Sequence, residues 1–139
     1  MNILVTGATG YIGPFLVNKL KALGHTVVIL VRKKEDFHRL ESEGFKCILG
    51  DVTKKESLVG IFKNIEILFH LANIASWWLP NNQTYYDVNV KGTVNLFEEA
   101  KKFPLKKVIH ISSIAAIRQP EGIIANEESI HQGDFESHY

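Results

Sequence analysis

The stretch that decides the fold is Asn2-Ile3-Leu4-Val5-Thr6-Gly7-Ala8-Thr9-Gly10-Tyr11-Ile12-Gly13. It joins an apolar run of strand length to a helical pattern through three glycines in the spacing Gly-x-x-Gly-x-x-Gly. Gly7 allows the tight turn, Gly10 lets a pyrophosphate approach the backbone, and Gly13 lets helix and strand pack closely. Free N–H groups and the positive end of the helix dipole favour phosphate at such a turn. The ligand contacts predicted here are Gly7, Thr9, Gly10, Tyr11, Ile12 and Gly13.

Apolar runs of strand length alternate with helical patterns along the chain, which predicts βαβ units and a parallel sheet. The predicted strands are Asn2–Thr6, Thr26–Val31, Lys46–Leu49, Ile65–His70 and Lys107–Ser112. The predicted helices are Tyr11–Leu23, Lys34–Ser42, Lys54–Phe62 and Asn82–Lys102, the last with Val90, Val94, Phe97 and Ala100 on one face. Right-handed crossovers then give the strand order 3-2-1-4-5. The predicted fold class is α/β, a three-layer Rossmann-type doubly wound parallel sheet, with residues 1–139 as one dinucleotide-binding domain that reads as truncated after strand five.

The composition narrows the class of protein. The chain has 139 residues, of which 45% are hydrophobic, and a formal net charge of +1. These values are ordinary for one soluble domain, and a charge so close to zero gives no support for nucleic-acid binding. The N-terminus lacks the pattern of a signal peptide, and no apolar run is long enough to cross a membrane. The single cysteine, Cys47, is expected to be buried and cannot form an internal disulfide, which favours a reducing compartment. The sequence therefore predicts a cytoplasmic protein that binds neither membranes nor nucleic acid.

The residue after the second predicted strand bears on which dinucleotide binds. NAD-binding units place an acidic residue about twenty positions past the turn, where it holds the ribose 2′-hydroxyl. This chain has Arg32 there, followed by Lys33 and Lys34. A guanidinium can pair a 2′-phosphate through two hydrogen bonds, and it offers nothing that an adenosine diol needs. The sequence therefore favours NADP as the cofactor, with NAD as the second candidate and a solvated basic loop as the alternative interpretation.

Motifs in chain order resemble those of one superfamily. The glycine turn is followed by Gly50-Asp51-Val52, His70-Leu71-Ala72-Asn73, Asn89-Val90-Lys91-Gly92-Thr93 and Ile111-Ser112-Ser113. This set is similar to the motifs of the extended short-chain dehydrogenase/reductase superfamily, in its NAD(P)-dependent epimerase/dehydratase family. Within it, Arg32 and the run Ser112-Ser113-Ile114-Ala115-Ala116 look most like the dihydroflavonol-reductase-like branch. The resemblance implies that Asp51 contacts adenine and that segment 71–73 lines the nucleotide. The cofactor contacts implied in this way are Asp51, Val52, Leu71, Ala72, Asn73, Asn89 and Ser112.

The resemblance also implies a catalytic triad of serine or threonine, tyrosine and lysine. Ser113 matches the first member and Tyr139 the second, and a lysine four residues beyond the tyrosine would fall past the last residue given. The tyrosine hydroxyl exchanges a proton with the substrate oxygen, and the lysine lowers the pKa of the phenol from its ordinary value of about 10. Losing a general acid–base contribution lowers rates by about 10²- to 10⁴-fold. The 139-residue chain is therefore expected to be inactive or nearly so.

Other candidate residues have plainer interpretations. The six histidines lack metal-ligand spacing, so no metal site is predicted, and His70 is interpreted as a structural residue at a strand end. His131 and His138 flank Tyr139, and contact with substrate is the less favoured interpretation for both. Trp77-Trp78-Leu79-Pro80 follows the fourth strand, where covering the core is favoured over contacting a substrate. Ser112 and Ser113 could also be ordinary loop residues.

Three functional hypotheses remain open from the sequence. The leading one is the NADP(H)-binding portion of an oxidoreductase or epimerase/dehydratase that acts on a small carbonyl or nucleotide-sugar substrate. The second is a non-catalytic dinucleotide-binding module that senses redox state or binds a partner protein. The third is a truncated reading frame without a function of its own. An unpaired strand at the sheet edge also allows a homodimer, since such edges invite pairing with another chain.

Overall fold

The computed structural model describes residues 1–76, 80–117 and 122–130. Its centre is a five-stranded parallel sheet in the order β3-β2-β1-β4-β5. The strands are β1 (Asn2–Thr6), β2 (Thr26–Val31), β3 (Lys46–Leu49), β4 (Ile67–His70) and β5 (Lys107–His110). The α/β class, the parallel pairing and the strand order predicted from the sequence are confirmed. The order reverses between β1 and β4, and a crevice at that point is where ligands bind in sheets of this kind.

The helices differ more from the prediction than the strands do. The first two are α1 (Gly13–Ala22) and α2 (Lys34–Ser42), and a short 3₁₀ helix covers Lys55–Leu58. The last crossover is helical in three pieces, which are α3 (Gln83–Tyr85), a π-helical segment (Tyr86–Gly92) and α4 (Thr93–Ala100). A second 3₁₀ helix covers Ile114–Ala116 after β5.

Several predicted boundaries were wrong, each for a local reason. The first helix begins at Gly13 and not at Tyr11, because Gly10 donates its N–H to the Gly7 carbonyl and keeps the preceding residues in a turn. The third helix is one 3₁₀ turn that ends before Gly60, whose φ of 78° is incompatible with continuing it. Strand β4 starts at Ile67, since the chain up to Ile65 is still in a turn, where the Ile65 N–H donates to the Phe62 carbonyl.

The fifth strand is also shorter than predicted and ends at His110. The next residue, Ile111, still donates its N–H to the carbonyl of His70. Its carbonyl, however, accepts a hydrogen bond of 2.8 Å from the side chain of Asn73. A side-chain contact therefore replaces the strand ladder at this point, and Ser112 lies in a loop.

The core has one layer on each face of the sheet. One layer packs Val17 and Leu20 of α1 against β1 and β2, and the other packs Leu96 and Ala100 of α4 against the opposite face. Of the predicted buried face of the last crossover, Ala100 is buried and Phe97 packs against the core, but the face does not include Val90 and Val94. These two side chains are 44% and 49% exposed. The π-helical segment explains the shift, because its wider turn changes the direction in which later residues point.

The outer strands are less covered than their apolar sequences suggest. Strand β5 is mostly exposed, with Val108 at 43%, and β3 is only partly covered. Cys47 in β3 is half-buried and not buried as predicted, because β3 lies at a sheet edge. Desolvation still raises the pKa of its thiol. Within the described part of the chain, no helix has the length and apolar character needed to span a membrane.

Candidate functional site

A cleft of about 310 Å³ opens at the carboxyl ends of the central strands, where the sheet order reverses. It is lined by the glycine turn, the end of β2 and the loops that follow β3 and β4. A cleft at this place is the expected ligand position in a doubly wound sheet. The predicted contact residues that line it are Gly7, Thr9, Gly10, Arg32, Asp51, Val52, Leu71, Ala72 and Asn73.

The glycine turn is dictated by two close approaches of backbone. Gly7 has a φ of 72°, and a Cβ there would lie 2.6 Å from the carbonyl carbon of Leu71. A Cβ on Gly13 would collide with the backbone of Ala8. Both glycines are therefore required by the protein's own packing, and they bring β1, the start of α1 and the loop after β4 together at the cleft.

Gly10 differs from the other two glycines of the turn. A Cβ there would lie 3.3 Å from the carbonyl oxygen of Gly7, and among the described residues no other heavy atom apart from those of its two chain neighbours is within 4 Å. The fold tolerates such a contact with a small adjustment, so the space beside Gly10 is open toward the cleft that it lines. The next two predicted contacts, Tyr11 and Ile12, do not line the cleft, and their side chains are 93% and 53% exposed.

Two cations stand at the β2 end of the cleft. Arg32 and Lys33 both line it, and both side chains are exposed. Among the described residues, neither takes part in an ion pair. Asp36, in the first turn of α2, lines the same end. This corner therefore offers two positive charges to an anionic ligand.

The loop after β3 carries Asp51 and Val52. One carboxylate oxygen of Asp51 accepts hydrogen bonds of 2.9 Å from both the N–H and the hydroxyl of Thr53. Val52 is fixed from behind, because Asn95 of α4 donates to its carbonyl at 3.0 Å. A Cβ on Gly92 would come within 2.7 Å of the Val52 side chain. The loop is thus shaped by its own hydrogen bonds and by a glycine of the crossover helix.

The loop after β4 forms the opposite wall of the cleft and is fixed at several points. The Ala72 N–H donates to the hydroxyl oxygen of Thr6 at 3.3 Å. Asn89 makes two hydrogen bonds to Ile74, accepting from its N–H at 2.8 Å and donating to its carbonyl at 3.1 Å. Ile74 lines the cleft, whereas Asn89 does not. Asn89, predicted as a cofactor contact, therefore supports the cleft wall from behind.

A buried histidine connects these elements beneath the cleft. His70 is fully buried, with its Nδ1 2.7 Å from the Thr6 hydroxyl and its Nε2 3.0 Å from the Thr93 hydroxyl. The Thr93 hydroxyl donates to the Asn89 carbonyl at 2.7 Å, so it must accept from His70. The imidazole is therefore neutral with its proton on Nε2, and Thr6 donates to Nδ1. Desolvation and the neighbouring His110 lower the pKa of His70 to about 4.

Of the two predicted catalytic residues, only Ser113 lies among the described residues, and it does not line the cleft. Ser112 is exposed, and Ser113 is half-buried at the start of the second 3₁₀ turn, where its carbonyl accepts from the N–H of Ala116. Tyr139 falls outside the described residues, as do His131, His138 and residues 77–79. The structure thus brings nine of the predicted cofactor residues together at the cleft, and it leaves five outside the lining, which are Tyr11, Ile12, Gly13, Asn89 and Ser112.

The cleft also contains residues that sequence reasoning did not single out. Thr6 is the last residue of β1, and Gly50 directly follows β3. The predicted strand ends could therefore have identified both as cleft residues. Asp36 comes from the first turn of α2, and Val88 from the π-helical segment. No motif marks these two. In the described ranges, no group of three or more histidine, cysteine, aspartate or glutamate side chains could hold a metal ion.

Comparison with protein families gives a match over nearly the whole chain. The family model described as "NAD dependent epimerase/dehydratase family" matches residues 3–139. Among curated proteins, the sterol demethylase protein B of Methylococcus capsulatus is 35% identical over 123 residues. That alignment covers 88% of this chain and 38% of the relative. The chain thus spans well under half the length of this relative.

Solved structures also match this chain over less than half of their own length. The UDP-glucose 4-epimerase of Thermus thermophilus, in complex with NAD, superposes with a TM-score of 0.79 at 28% identity, covering 100% of this chain and 46% of that one. A yeast methylglyoxal/isovaleraldehyde reductase complexed with NADPH superposes with a TM-score of 0.84 at 24% identity. The match covers 99% of this chain and 46% of the yeast reductase. One of these relatives was solved with NAD and the other with NADPH.

Proposed function

The chain belongs to the NAD-dependent epimerase/dehydratase family, and from that membership we propose that it is the NADP(H)-binding portion of an oxidoreductase or epimerase/dehydratase. The observation that carries this proposal is the cleft at the reversal point of the sheet, with the glycine turn at one side and two exposed cations at the other. The substrate class that goes with it is a small carbonyl compound or a nucleotide-sugar. The longer relatives place most of their length outside the region matched here.

The residues of the cleft fit a dinucleotide. The open space beside Gly10 allows a phosphate to approach the backbone at the start of α1, where free N–H groups and the helix dipole favour negative charge. Leu30, Val52 and Val88 supply an apolar wall suited to a base, and Asp51 lies beside them. The cations, the glycine turn and this apolar wall thus offer complementary chemistry for the 2′-phosphate, the pyrophosphate and the base.

The cations at the end of β2 support NADP over NAD. The 2′-phosphate of NADP carries between one and two negative charges near neutral pH. A guanidinium can meet it with two parallel hydrogen bonds, and neither Arg32 nor Lys33 has an acidic partner among the described residues to compete for it. NAD, which lacks that phosphate, gains nothing from these charges.

When bound, the nicotinamide supplies or accepts a hydride. The chain's own contribution at the reacting end would come from Ser113, positioning a substrate oxygen, and from Tyr139, exchanging a proton with it. The lysine that would lower the pKa of the tyrosine is not among the 139 residues. We expect the chain by itself to bind cofactor without turning over a substrate.

A direct titration tests the binding proposal. Isothermal titration calorimetry of the chain with NADPH and with NADH should show one site per chain and tighter binding of NADPH. Equal affinity for the two would contradict the choice of NADP, and no binding of either would contradict the proposed function. An assay of NADPH oxidation with small carbonyl compounds should show no turnover above the rate without protein. Substantial turnover would refute the expected inactivity.

No feature of the described residues favours a non-catalytic sensor over the enzyme portion, so the sensor stays the alternative. A cytoplasmic location stays a prediction from the sequence. A homodimer also stays a prediction, supported by the exposed β5 edge, and sedimentation analysis of the chain would test it.

A further inference from the structure

An acidic side chain lies in the corner of the cleft where the proposed function needs positive charge. Asp36 lines the cleft together with Arg32 and Lys33. It lies in the first turn of α2, a position where the helix dipole stabilises a carboxylate. A fixed negative charge there opposes the field of the two cations.

A third cation holds this carboxylate from outside the cleft. The guanidinium of Arg39 lies 3.2 Å from Asp36 Oδ1 and 3.0 Å from Glu43 Oε1, so it bridges two acids on either side of it along the helix. The hydrogen bonds that Arg39 donates to Asp36, which has the larger effect, and to Glu43 raise the pKa of Arg39 above its ordinary value. Arg39 itself does not line the cleft. Its route to a bound ligand therefore passes through Asp36.

We infer that Asp36 is a specificity-determining residue that lowers the preference of this cleft for NADPH over NADH, and that Arg39 limits this effect by pairing with the Asp36 carboxylate. The inference rests on the proposed function, since it assumes that the ribose of a dinucleotide lies beside Arg32. A carboxylate repels a 2′-phosphate and can accept a hydrogen bond from a 2′-hydroxyl. Asp36 thus shifts the ratio of the two affinities in favour of NADH.

The ion pair between Arg39 and Asp36 controls how much of the carboxylate's charge acts on the cleft. An ion pair between partly exposed side chains contributes little to folding, so its main consequence is on the charge that Asp36 presents to the cleft. With Arg39 in place, part of the field of the carboxylate is neutralised. Without it, Asp36 is free to pair with Arg32 or Lys33 and to compete with the phosphate. Arg39 is thus a positioning residue, and it needs Asp36 to have any effect on cofactor choice.

A double-mutant cycle tests both halves. Dissociation constants for NADPH and NADH are measured by calorimetry for the unaltered chain, Asp36→Asn, Arg39→Gln and the double variant, with circular dichroism as a check on folding. Asp36→Asn should raise the NADPH-to-NADH preference by about 3- to 10-fold, as expected for removing one charge at a partly solvated site. Arg39→Gln should lower it, and the double variant should behave like Asp36→Asn alone.

Glu35→Gln provides the matched control. Glu35 precedes Asp36 in the same helical turn, carries the same charge and does not line the cleft. Its variant should leave the preference unchanged. A similar change for Glu35→Gln and Asp36→Asn would overturn the inference, because overall charge would then explain both. An unchanged ratio in Asp36→Asn would also overturn it.

The remaining outcomes separate the inference from the function on which it rests. If Arg39→Gln lowers the preference equally with Asn at position 36, Arg39 acts on the ligand directly and its proposed dependence on Asp36 is wrong. If the unaltered chain binds neither dinucleotide, the proposed function fails, and this inference fails with it. If the chain binds both and the ratio does not respond to Asp36, only the inference fails.

Discussion

Thr6 and His70 join the two strands between which the sheet order reverses, through a hydrogen bond of 2.7 Å from the threonine hydroxyl to Nδ1 of the imidazole. The same hydroxyl oxygen accepts from the N–H of Ala72, a residue of the cleft wall. On its other side, His70 donates to Thr93 of the crossover helix. One neutral, buried imidazole therefore ties β1, β4 and α4 together directly beneath the cleft.

The buried imidazole predicts a loss of stability in mild acid. Burial lowers the pKa of His70 to about 4, against 6.5 for an ordinary histidine, so the unfolded chain takes up the proton first. The contribution of His70 is fully present above pH 6.5 and is lost as the pH falls toward 4. Linkage gives a loss of about 2 kcal/mol between about pH 7 and pH 5.

Urea unfolding at the two pH values measures this loss. His70→Gln keeps a donor and an acceptor but does not titrate, so its free energy of unfolding should fall less over the same range. The difference between the two proteins isolates His70 from the other histidines. An equal fall in both would show that His70 does not carry the acid sensitivity.

Gly7→Ala should destabilise the fold and abolish cofactor binding. The backbone at Gly7 is left-handed and a Cβ would meet the backbone of Leu71 at 2.6 Å, so conformational strain of about 1–2 kcal/mol is joined by a steric clash. Gly24→Ala is the matched control, because Gly24 has a φ of 78° but open space around its Cβ position. Thermal melts should show a larger fall for Gly7→Ala, and equal falls would contradict the role of the close approach.

Gly10→Ala should separate binding from stability. A Cβ at Gly10 would lie 3.3 Å from the carbonyl oxygen of Gly7, a contact that a shift of a few tenths of an ångström relieves, so the melting temperature should fall much less than in Gly7→Ala. The added methyl group would stand where we propose that a pyrophosphate approaches, so NADPH should bind at least about 10-fold more weakly, a change of about 1.4 kcal/mol. Unchanged affinity in this variant would mean that no phosphate comes close to Gly10.

Asn89→Ala should weaken cofactor binding without removing a contact to the ligand. Asn89 makes two hydrogen bonds to the backbone of Ile74, and leaving buried partners unpaired costs about 1–3 kcal/mol. The cleft wall at Ile74 would lose its support. Gln83→Ala, at an exposed position of the same crossover, should change the free energy of unfolding by less than about 0.5 kcal/mol. A loss of NADPH affinity in Gln83→Ala as large as that in Asn89→Ala would argue against the role of Asn89 in supporting the cleft wall.

The strand order followed from the sequence because each strand is an apolar run of limited length and right-handed crossovers allow few arrangements. The helical faces were harder to predict. The π-helical segment Tyr86–Gly92 moves the buried face from Val94 to Leu96 and leaves Val94 exposed. Its cause lies in packing, since Gly92 must fit against Val52 and Asn89 must reach Ile74. The apolar periodicity of one segment cannot predict those contacts, because they are made with other segments.

The candidate site could likewise be predicted only in part. Residues at strand ends, such as Gly7 and Arg32, could be located because the carboxyl ends of parallel strands converge on one edge. Asp36 could not be located in this way, because it lies in the first turn of α2 and reaches the cleft only through the position of that helix in the fold. Asn89 was identified in a motif, and in the structure it supports the cleft wall at Ile74 without lining the cleft. A motif alone does not distinguish a residue that lines a cleft from one that holds its wall.

The proposed NADP(H) site is tested most directly by the affinity of Arg32→Ala for NADPH and NADH. Lys34→Ala is the matched control, because Lys34 is an adjacent exposed cation that does not line the cleft. We predict that Arg32→Ala binds NADPH about 10- to 100-fold more weakly, because one charge-assisted hydrogen-bonded pair is lost, and that its affinity for NADH is unchanged. Lys34→Ala should leave both affinities nearly unchanged. Unaltered NADPH affinity in Arg32→Ala, or equal losses of affinity for NADPH and NADH, would contradict the proposed NADP(H) site.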